Sequence, residues 1–464
     1  MKKILTILTF SLLASNNLFA NDNKKIQHFN EWLYKNNYHQ YLKLEQRAAC
    51  KTEPKYSMHW YGNDCDKFQG SNNLNIKLNK KKNNLGYESN PNRGTLIYYL
   101  WNYSYRPKYM GTNPDLINFY KANPTKQPYE FKLNLIEDKF VKKQMKKKGI
   151  LSYLYFQDDQ VLIDEISPKE RLGEFIREDT KFISMSMNKS VTSYILGHAI
   201  CEGYIDSVDS KINDWPILKN SLYHNQKIID FLNMTNGDQK YINEFTHDHG
   251  KFLGNSKYVF EDKSIFMSAN RFLKGSVKSK NTYNYNGFVT QLIINYIKFK
   301  TGDDYDKLYS KIFNDKVKIK HSILFGRLNA VEKNGNGHPN ISATRFDYLR
   351  LAKAIMDDYQ NNTCVGKYLK EIHKRRIPKR YNENKYEPEF NRTKSYGGQF
   401  HFDYPGLKNK VIFGMGGYGG QAILIDMENS RIVVLNSLHY NNGKYKYNVK
   451  KLLINPIKKG KLPN

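Results

Sequence analysis

Residues 182–193 read FISMSMNKSVTS, and this stretch contains the strongest chemical signal in the chain. Ser186 is the only serine that is followed three positions later by a lysine, Lys189, and an apolar helical pattern begins directly after it. Positions i and i+3 share one face of a helix, so a helix that begins here would place the Lys189 ammonium beside the Ser186 hydroxyl. A serine hydroxyl becomes a good nucleophile when a base lies within reach. The spacing predicts a nucleophile and its base, with a plain helix N-cap as the alternative.

The predicted helix would assist such chemistry in two ways. Its N-terminus supplies free backbone N–H groups and a positive potential near the attacked carbonyl. Burial and neighbouring positive charge would lower the pKa of Lys189 towards that of a useful base. Ser184 is the one nearby serine that competes with Ser186 for the role of nucleophile.

Strand patterns lie on both sides of this helix. Two apolar runs, 150–156 and 161–166, flank the turn Asp158-Asp159-Gln160, which predicts a β-hairpin. After a middle rich in helices and loops, strand patterns return at 411–413, 421–425 and 431–438, and an amphipathic helix at 447–454 is expected to end before Pro456. Strands at both ends with helices between them predict an α+β fold, in which helices flank an antiparallel sheet that non-sequential strands complete.

Several further segments resemble motifs of one enzyme superfamily. Residues 228–237, IIDFLNMTNG, are very similar to the motif I-x-D-L-L-x-M-T-S-G. Shorter matches are residues 202–209 (G-x-I-x-S-L-D), Trp215-Pro216 (Y-x-P), and Ser342-Ala343 with Asp347 (S-x-x-D). Together with the S-x-x-K tetrapeptide, they make residues from about 140 to 455 similar to the serine β-lactamase-related superfamily of penicillin-binding-protein-like hydrolases. The likeness is closest to the class C-type branch of esterases, D-amino-acid peptidases and 6-aminohexanoate-dimer hydrolases. It implies a β-lactamase/transpeptidase-like fold with an inserted helical region.

The second motif of that superfamily is Y-x-N, and it falls within residues 282–293, TYNYNGFVTQLI. The resemblance implies that Tyr285 is the motif tyrosine, followed by Asn286 and by Gly287, which replaces the usual Asn or Ser. Tyr283 then takes the preceding aromatic position, although Tyr283-Asn284-Tyr285 remains an alternative register. A phenol close to a lysine can pass a proton, so the resemblance implies that Tyr285 acts as general base and then as general acid. A packed aromatic residue is the alternative.

The third motif begins with Lys or His and opens the strand beside the nucleophile. Its counterpart is residues 414–421, GMGGYGGQ. The resemblance implies an oxyanion hole formed by the backbone N–H groups of Ser186 and Tyr418, and a substrate strand through Met415, Gly416 and Gly417. Glycine allows a backbone to approach substrate closely. Met415 takes the place of the usual cation, which puts in doubt a contact with a substrate carboxylate. A turn at a sheet edge is the alternative.

The N-terminus has the features of an export signal. Lys2 and Lys3 precede an apolar run at 4–13, and Leu18-Phe19-Ala20 offers a cleavage site. These features predict a signal peptide at residues 1–20 and an exported protein, periplasmic or secreted. No later stretch approaches the ~18 apolar residues of a transmembrane helix. Residues 21–135 are expected to form an N-terminal extension of unknown role, and residues 136–464 to form the hydrolase domain.

The chain has four cysteines, and an exported protein can form disulfides between them. Cys50 and Cys65 lie in a loop-like stretch and are the expected pair. Cys201 lies in an apolar helical pattern and is predicted to be a small buried hydrophobic residue. The chain has neither C-x-x-C nor H-E-x-x-H, and its 12 histidines are scattered, so we expect no metal and no other cofactor.

The chain carries a formal net charge of +30, which falls to +28 when the leader with its two lysines is removed. Lysine is abundant throughout and the sequence lacks a zinc-finger, RRM or basic-zipper pattern, so we expect no nucleic-acid partner. Electrostatic contact with anionic envelope polymers stays open.

The sequence predicts an exported serine hydrolase that cleaves small esters or linear amides through an acyl-enzyme. Met415 favours these substrates over β-lactams and D-Ala-D-Ala peptides, because both of the latter carry a carboxylate that needs a cation. Gly287 points the same way, because it removes an amide that could hold an acylamino side chain. One alternative is a β-lactamase or D-Ala-D-Ala peptidase that acts on cell-wall-like substrates. Another is a catalytically idle binding protein on the same fold.

Overall fold

A computed structural model of the chain describes residues 96, 119–242, 269, 273–327, 337–379, 389–438 and 444–461. The predicted signal peptide and the predicted Cys50–Cys65 disulfide lie outside the described residues. The strands are β1 (Phe119–Ala122), β2 (Lys132–Leu133), β3 (Ile150–Gln157), β4 (Gln160–Ile166), β5 (Lys181–Ile183), β6 (Ile323–Arg327), β7 (Gly337–Thr344), β8 (Ile377–Pro378), β9 (Ser395–Gly397), β10 (Phe400–Phe402), β11 (Ile412–Gly417), β12 (Gln421–Asp426) and β13 (Arg431–Ser437). The α-helices are α1 (Lys139–Lys147), α2 (Met187–Cys201), α3 (Ile228–Leu232), α4 (Phe288–Thr301), α5 (Tyr305–Ser310), α6 (Arg345–Gln360), α7 (Cys364–Lys374) and α8 (Asn455–Lys459).

Nine of the strands form one sheet in the order β2-β4-β3-β13-β12-β11-β10-β9-β8. All neighbours in it are antiparallel except β2 and β4. The predicted hairpin is β3 and β4, and its turn residues Asp158 and Asp159 have φ of 49° and 59°. Pairing of β3 with β13 joins the early hairpin to the late strands, which confirms the predicted sheet closed by non-sequential strands.

The period-two alternation of the central strands produces two cores, one on each face of this sheet. On one face, Phe413 and Met415 of β11 pack in an apolar cluster with residues of α2, α4, α6 and α7. On the other face, Ile412 packs with residues of α1 and of the C-terminal helix. Helix α2, the predicted nucleophile helix, is therefore enclosed in protein, and its residues from Met187 to Ala199 are buried.

A second sheet of four strands, in the order β1-β6-β7-β5, was not predicted from the sequence. Three of its strands are short or polar, and β7 includes Pro339, so they lack the alternation that identifies a strand. The stretch 119–133, which lies within the predicted N-terminal extension, contributes β1 to this sheet and β2 to the larger one.

Two local predictions need correction. The predicted S-x-x-D segment opens α6, but the N-cap is Thr344, whose Oγ1 accepts from the backbone N–H of Asp347 at 3.1 Å, and Ser342 lies in β7. The last helix does not end before Pro456. A π-helical turn (Lys450–Ile454) leads directly into α8, where Pro456 occupies the first turn, a position in which proline is tolerated.

Candidate active site

The turn before α2 positions Ser186 with one strained residue and one close packing contact. Ser186 is the N-cap of α2, and the preceding Met185 has φ of +46°, an unusual value for a residue with a side chain. A Cβ atom at position 417 would overlap the carbonyl oxygen of Ser184, so only glycine allows the end of β11 to pack against this turn. The predicted substrate strand and the predicted nucleophile are thus neighbours.

Ser184, the competing serine, has a structural role. Its hydroxyl accepts from the backbone N–H of Ile341 at 3.0 Å and donates to the carbonyl of Met185 at 3.1 Å. The residue is fully buried. Ser184 thus fastens the turn to β7, and its hydroxyl is engaged both as a donor and as an acceptor.

Lys189 lies one turn into α2, and its ammonium nitrogen donates to Oγ of Ser186 at 3.1 Å. The lysine is only 6% exposed. The contact is the one that the i, i+3 spacing predicted, and burial keeps water from competing for it.

Tyr285 lies across Lys189, with the ammonium nitrogen 4.8 Å from the centre of its ring. Tyr283, the tyrosine of the alternative register, is 3% exposed and packs in a small cluster with Met234 and Tyr396. The structure therefore brings Ser186, Lys189 and Tyr285 together, and this arrangement favours the register in which Tyr285 is the motif tyrosine.

The two neighbours of Tyr285 both bind one buried carboxylate, that of Asp238. Asn284 Nδ2 donates to Oδ1 at 2.7 Å, and Asn286 Nδ2 donates to Oδ2 at 3.2 Å. Tyr223 adds a third donor, its hydroxyl, to Oδ2 at 2.7 Å. Gly287, the residue that replaces the usual Asn or Ser of the motif, is the N-cap of α4. Sequence reasoning missed Asp238, although its position directly after the M-T-N-G segment was a usable signal.

A buried His–Lys pair also borders the site. The His401 ring lies 6.5 Å from the Tyr285 ring, centre to centre, and His401 Nδ1 is 3.0 Å from Nζ of Lys379. Burial, together with the charges of Lys379 and Lys189, holds the pKa of His401 well below its ordinary value. The imidazole is therefore neutral. Neither residue belongs to a motif, and no signal in the sequence indicated them.

The glycine-rich segment begins within β11, and Met415, which stands where the motif usually has Lys or His, is turned into the core. Met415 is 1% exposed and packs in the core on the α2 face of the sheet. A Cβ atom at Gly416 would overlap the side chain of Asn391 on the other side. Tyr418 follows the strand and is 39% exposed.

The far end of α2 is fixed covalently. Cys201 forms a disulfide with Cys364, the first residue of α7. The prediction that Cys201 is a small buried hydrophobic residue is therefore wrong. The error arose because an apolar helical pattern does not reveal a partner 163 positions away.

Within the described part of the chain, no group of three or more His, Cys, Asp or Glu side chains could hold a metal ion. No helix among the described residues is long and apolar enough to cross a membrane.

Several solved structures are similar to this chain. A Bacillus anthracis protein described as a 6-aminohexanoate-dimer hydrolase is 15% identical, with 82% of this chain and 95% of that chain covered and a TM-score of 0.55. A penicillin-binding protein homologue from Pyrococcus abyssi is 15% identical, covering 70% of this chain and 77% of that one, at a TM-score of 0.48. A D-stereospecific amidohydrolase from Streptomyces sp. is 12% identical, covering 70% and 100%, at a TM-score of 0.48.

No protein-family model matches the chain, and no curated protein sequence matches it. The structural likeness confirms the predicted fold class. The chain has the α+β, β-lactamase/transpeptidase-like fold of the serine β-lactamase-related hydrolases.

Proposed function

We propose that the protein is an exported serine hydrolase that cleaves small esters or linear amides through an acyl-enzyme. The observation that carries the proposal is the contact of the Lys189 ammonium with the Ser186 hydroxyl beneath the Tyr285 ring. The surroundings of Ser186 also favour a nucleophile over a plain helix N-cap. A serine that only capped the helix would need neither a buried lysine nor a tyrosine beside it.

In the proposed reaction, the Ser186 oxygen attacks the substrate carbonyl carbon and its proton passes to the Lys189–Tyr285 pair. The pair accepts it in the form that has already lost one proton, either as a neutral amine beside the phenol or as an ammonium beside a phenolate. The tetrahedral oxyanion is held by the backbone N–H groups of Ser186 and Tyr418. The C–O or C–N bond of the substrate then breaks, and the same pair returns the proton to the leaving alcohol or amine. A water molecule releases the acid from Ser186 by the reverse sequence.

The substrate class follows from what the site offers to a carboxylate. Met415 takes the place of a cation and is packed into the core, where a thioether offers no hydrogen-bond donor. Gly287 likewise offers no side-chain amide to an acylamino group. Substrates without a carboxylate, such as short-chain esters and linear amides, lose nothing by these replacements.

Export is supported by two independent features. The N-terminal sequence has the pattern of a signal peptide. The Cys201–Cys364 disulfide suits an oxidising compartment, since cytosolic thiols are kept reduced.

Reaction with a labelled fluorophosphonate, followed by peptide mapping in a mass spectrometer, tests the proposal. We expect a single adduct at Ser186 that is absent from the Ser186→Ala variant. The matched control is Ser184→Ala, which should still be labelled. An adduct at Ser184, or one that survives Ser186→Ala, would refute the assignment, and no adduct at all would favour an idle binding protein.

A further inference from the structure

Asp238 is a buried acid whose hydrogen bonds converge on the proposed proton carrier. The residue is fully buried, and its two carboxylate oxygens accept from the side-chain amides of Asn284 and Asn286. These two asparagines are the residues directly before and after Tyr285. The carboxylate therefore bridges the backbone on both sides of the tyrosine.

Each asparagine is itself fixed by further hydrogen bonds. The backbone N–H of Asn284 donates to the carbonyl of Met234 at 2.9 Å, and its Nδ2 also donates to the carbonyl of Ile242 at 3.1 Å. Oδ1 of Asn286 accepts from the backbone N–H of Val289 in the first turn of α4 at 3.0 Å. Tyr285 thus lies on a short segment held at both ends, which limits where its ring can lie over Lys189.

We propose that Asp238 is a positioning residue for Tyr285, acting through Asn284 and Asn286 to hold the phenol over the Lys189 ammonium. The inference rests on the proposed function to the extent that Tyr285 is taken as the proton carrier.

A carboxylate suits this role better than the isosteric amide. Three donors, two amides and the Tyr223 hydroxyl, face its two oxygens, and an ionised carboxylate accepts on both. Asparagine at this position would turn an NH₂ group towards one of these donors. Two donors cannot form a hydrogen bond with each other, so that donor would lose its partner. Burial raises the pKa of Asp238, and its hydrogen bonds oppose that rise. Replacing one carboxylate oxygen by an NH₂ group, as Asp238→Asn does, should therefore disturb the hydrogen bonds that hold the neighbours of Tyr285.

The experiment compares Asp238→Asn with a matched control, Tyr223→Phe. The control removes one hydrogen bond to the same carboxylate and keeps the two donors, Asn284 and Asn286, that flank Tyr285. Each variant is made in the full chain and again with 3-fluorotyrosine inserted at position 285, so that a ¹⁹F resonance reports the surroundings and the pKa of that phenol. The rate of fluorophosphonate labelling and the kcat and KM for p-nitrophenyl acetate are measured in parallel.

We expect Asp238→Asn to shift the ¹⁹F resonance and to lower kcat and the labelling rate by on the order of 10- to 100-fold, since small misplacements of a catalytic group have effects of this size. KM should change little. Tyr223→Phe should leave the resonance in place and kcat within about threefold, because it removes one hydrogen bond and keeps both asparagine bonds that hold the tyrosine segment. An unchanged resonance in Asp238→Asn, or equal shifts in both variants, would overturn the proposal, because Asp238 would then be only a brace of the fold.

Two further comparisons cover the cases in which Asp238→Asn does not fold or the wild-type protein is not labelled. If Asp238→Asn does not fold, Asn284→Ser removes one arm of the bridge and leaves the carboxylate with two donors, and an intermediate shift and an intermediate loss of rate are expected. An Asn284→Ser variant with wild-type resonance and rate would overturn the proposal. If the wild-type protein is not labelled but the ¹⁹F resonance responds to Asp238→Asn alone, the positioning role stands and the proposed hydrolase function fails.

Discussion

The ammonium nitrogen of Lys379 lies 3.0 Å from Nδ1 of His401. An ammonium group only donates hydrogen bonds, so Nδ1 accepts and the neutral imidazole carries its proton on Nε2. The pair brings a second buried lysine to the neighbourhood of Lys189, whose charge also acts on His401. A buried, hydrogen-bonded Lys379–His401 pair therefore lies beside the proposed proton carriers.

We predict that His401 stays neutral throughout the ordinary titration range of histidine. Burial is the largest cause of the lowered pKa, followed by Lys379 and Lys189. The measurement is a ¹⁵N NMR titration of the imidazole, with the resonance assigned by His401→Gln. Lys379→Met should raise the His401 pKa, because it removes one of the two charges. A wild-type His401 that titrates near 6.5 would show that water reaches the imidazole and would contradict the prediction.

Ser186, Lys189 and Tyr285 are predicted to act as a unit. Because each is needed for the same proton transfer, the double variant Lys189→Met/Tyr285→Phe should be hardly slower than the worse of the two single variants. The measurement is kcat/KM for an ester substrate in all four proteins. Losses that multiply would mean that the two residues contribute independently. A larger loss in Tyr283→Phe than in Tyr285→Phe would restore the alternative register.

The disulfide between Cys201 and Cys364 is predicted to stabilise the domain strongly. It closes a loop with a sequence separation of 163, and on the chain-entropy argument its loss costs about 5 kcal/mol of unfolding free energy. The Cys201→Ser/Cys364→Ser protein should therefore unfold at a markedly lower denaturant concentration than wild type. Reducing agent should lower the stability of wild type by more than that of the double variant, which keeps only the expected Cys50–Cys65 pair. Equal stabilities of the two proteins without reductant would contradict the prediction.

Local contacts were predictable from the sequence and distant ones were not. Ser186 and Lys189 are three residues apart on one helix, so helix geometry alone brought them together. The hairpin β3–β4 was likewise a local pattern. His401 and Lys379 meet because β10 pairs with β9 and β9 with β8, and Cys201 meets Cys364 through the packing of α2 on α7. Such meetings depend on tertiary structure, on which periodicity carries no information.

The nucleophile helix should also make stability depend on pH through His198. Burial is the main cause that lowers its pKa to about 4, and the Asp358 carboxylate opposes this effect only in part. Because the unfolded chain binds this proton at about pH 6.5, the stabilisation is present above that pH and is lost as the pH falls towards about 4. We expect a loss of about 2 kcal/mol from this residue by about pH 5.

The test of the His198 prediction is denaturant unfolding of wild type and His198→Gln at a series of pH values. Other buried histidines act in the same direction, and His373, with a pKa also lowered to about 4 chiefly by burial, remains in both proteins. The variant should therefore lose less stability than wild type on acidification. Parallel pH profiles for the two proteins would show that His198 is not the source.

The last prediction concerns the choice of substrate. We expect a higher kcat/KM for p-nitrophenyl acetate or butyrate than for nitrocefin or a D-Ala-D-Ala peptide. The last two carry a carboxylate, and the strand position that usually supplies its cation holds Met415, which is 1% exposed and packed in the core. Each missing charge-assisted hydrogen bond is worth about 1.5–3 kcal/mol, or roughly ten- to over a hundredfold in binding.

Among the described residues, Lys379 is one candidate for a replacement cation, because it is buried beside His401 near the site. Its ammonium group already donates to His401 and to the carbonyl of Asn391 at 3.0 Å. A carboxylate would have to break these bonds to reach it. Met415→Lys is the informative variant, since a gain for nitrocefin relative to the esters would locate the missing contact on β11. Should wild type already prefer nitrocefin or the peptide, and lose that preference in Lys379→Met, then Lys379 binds the carboxylate and the proposed substrate class is wrong.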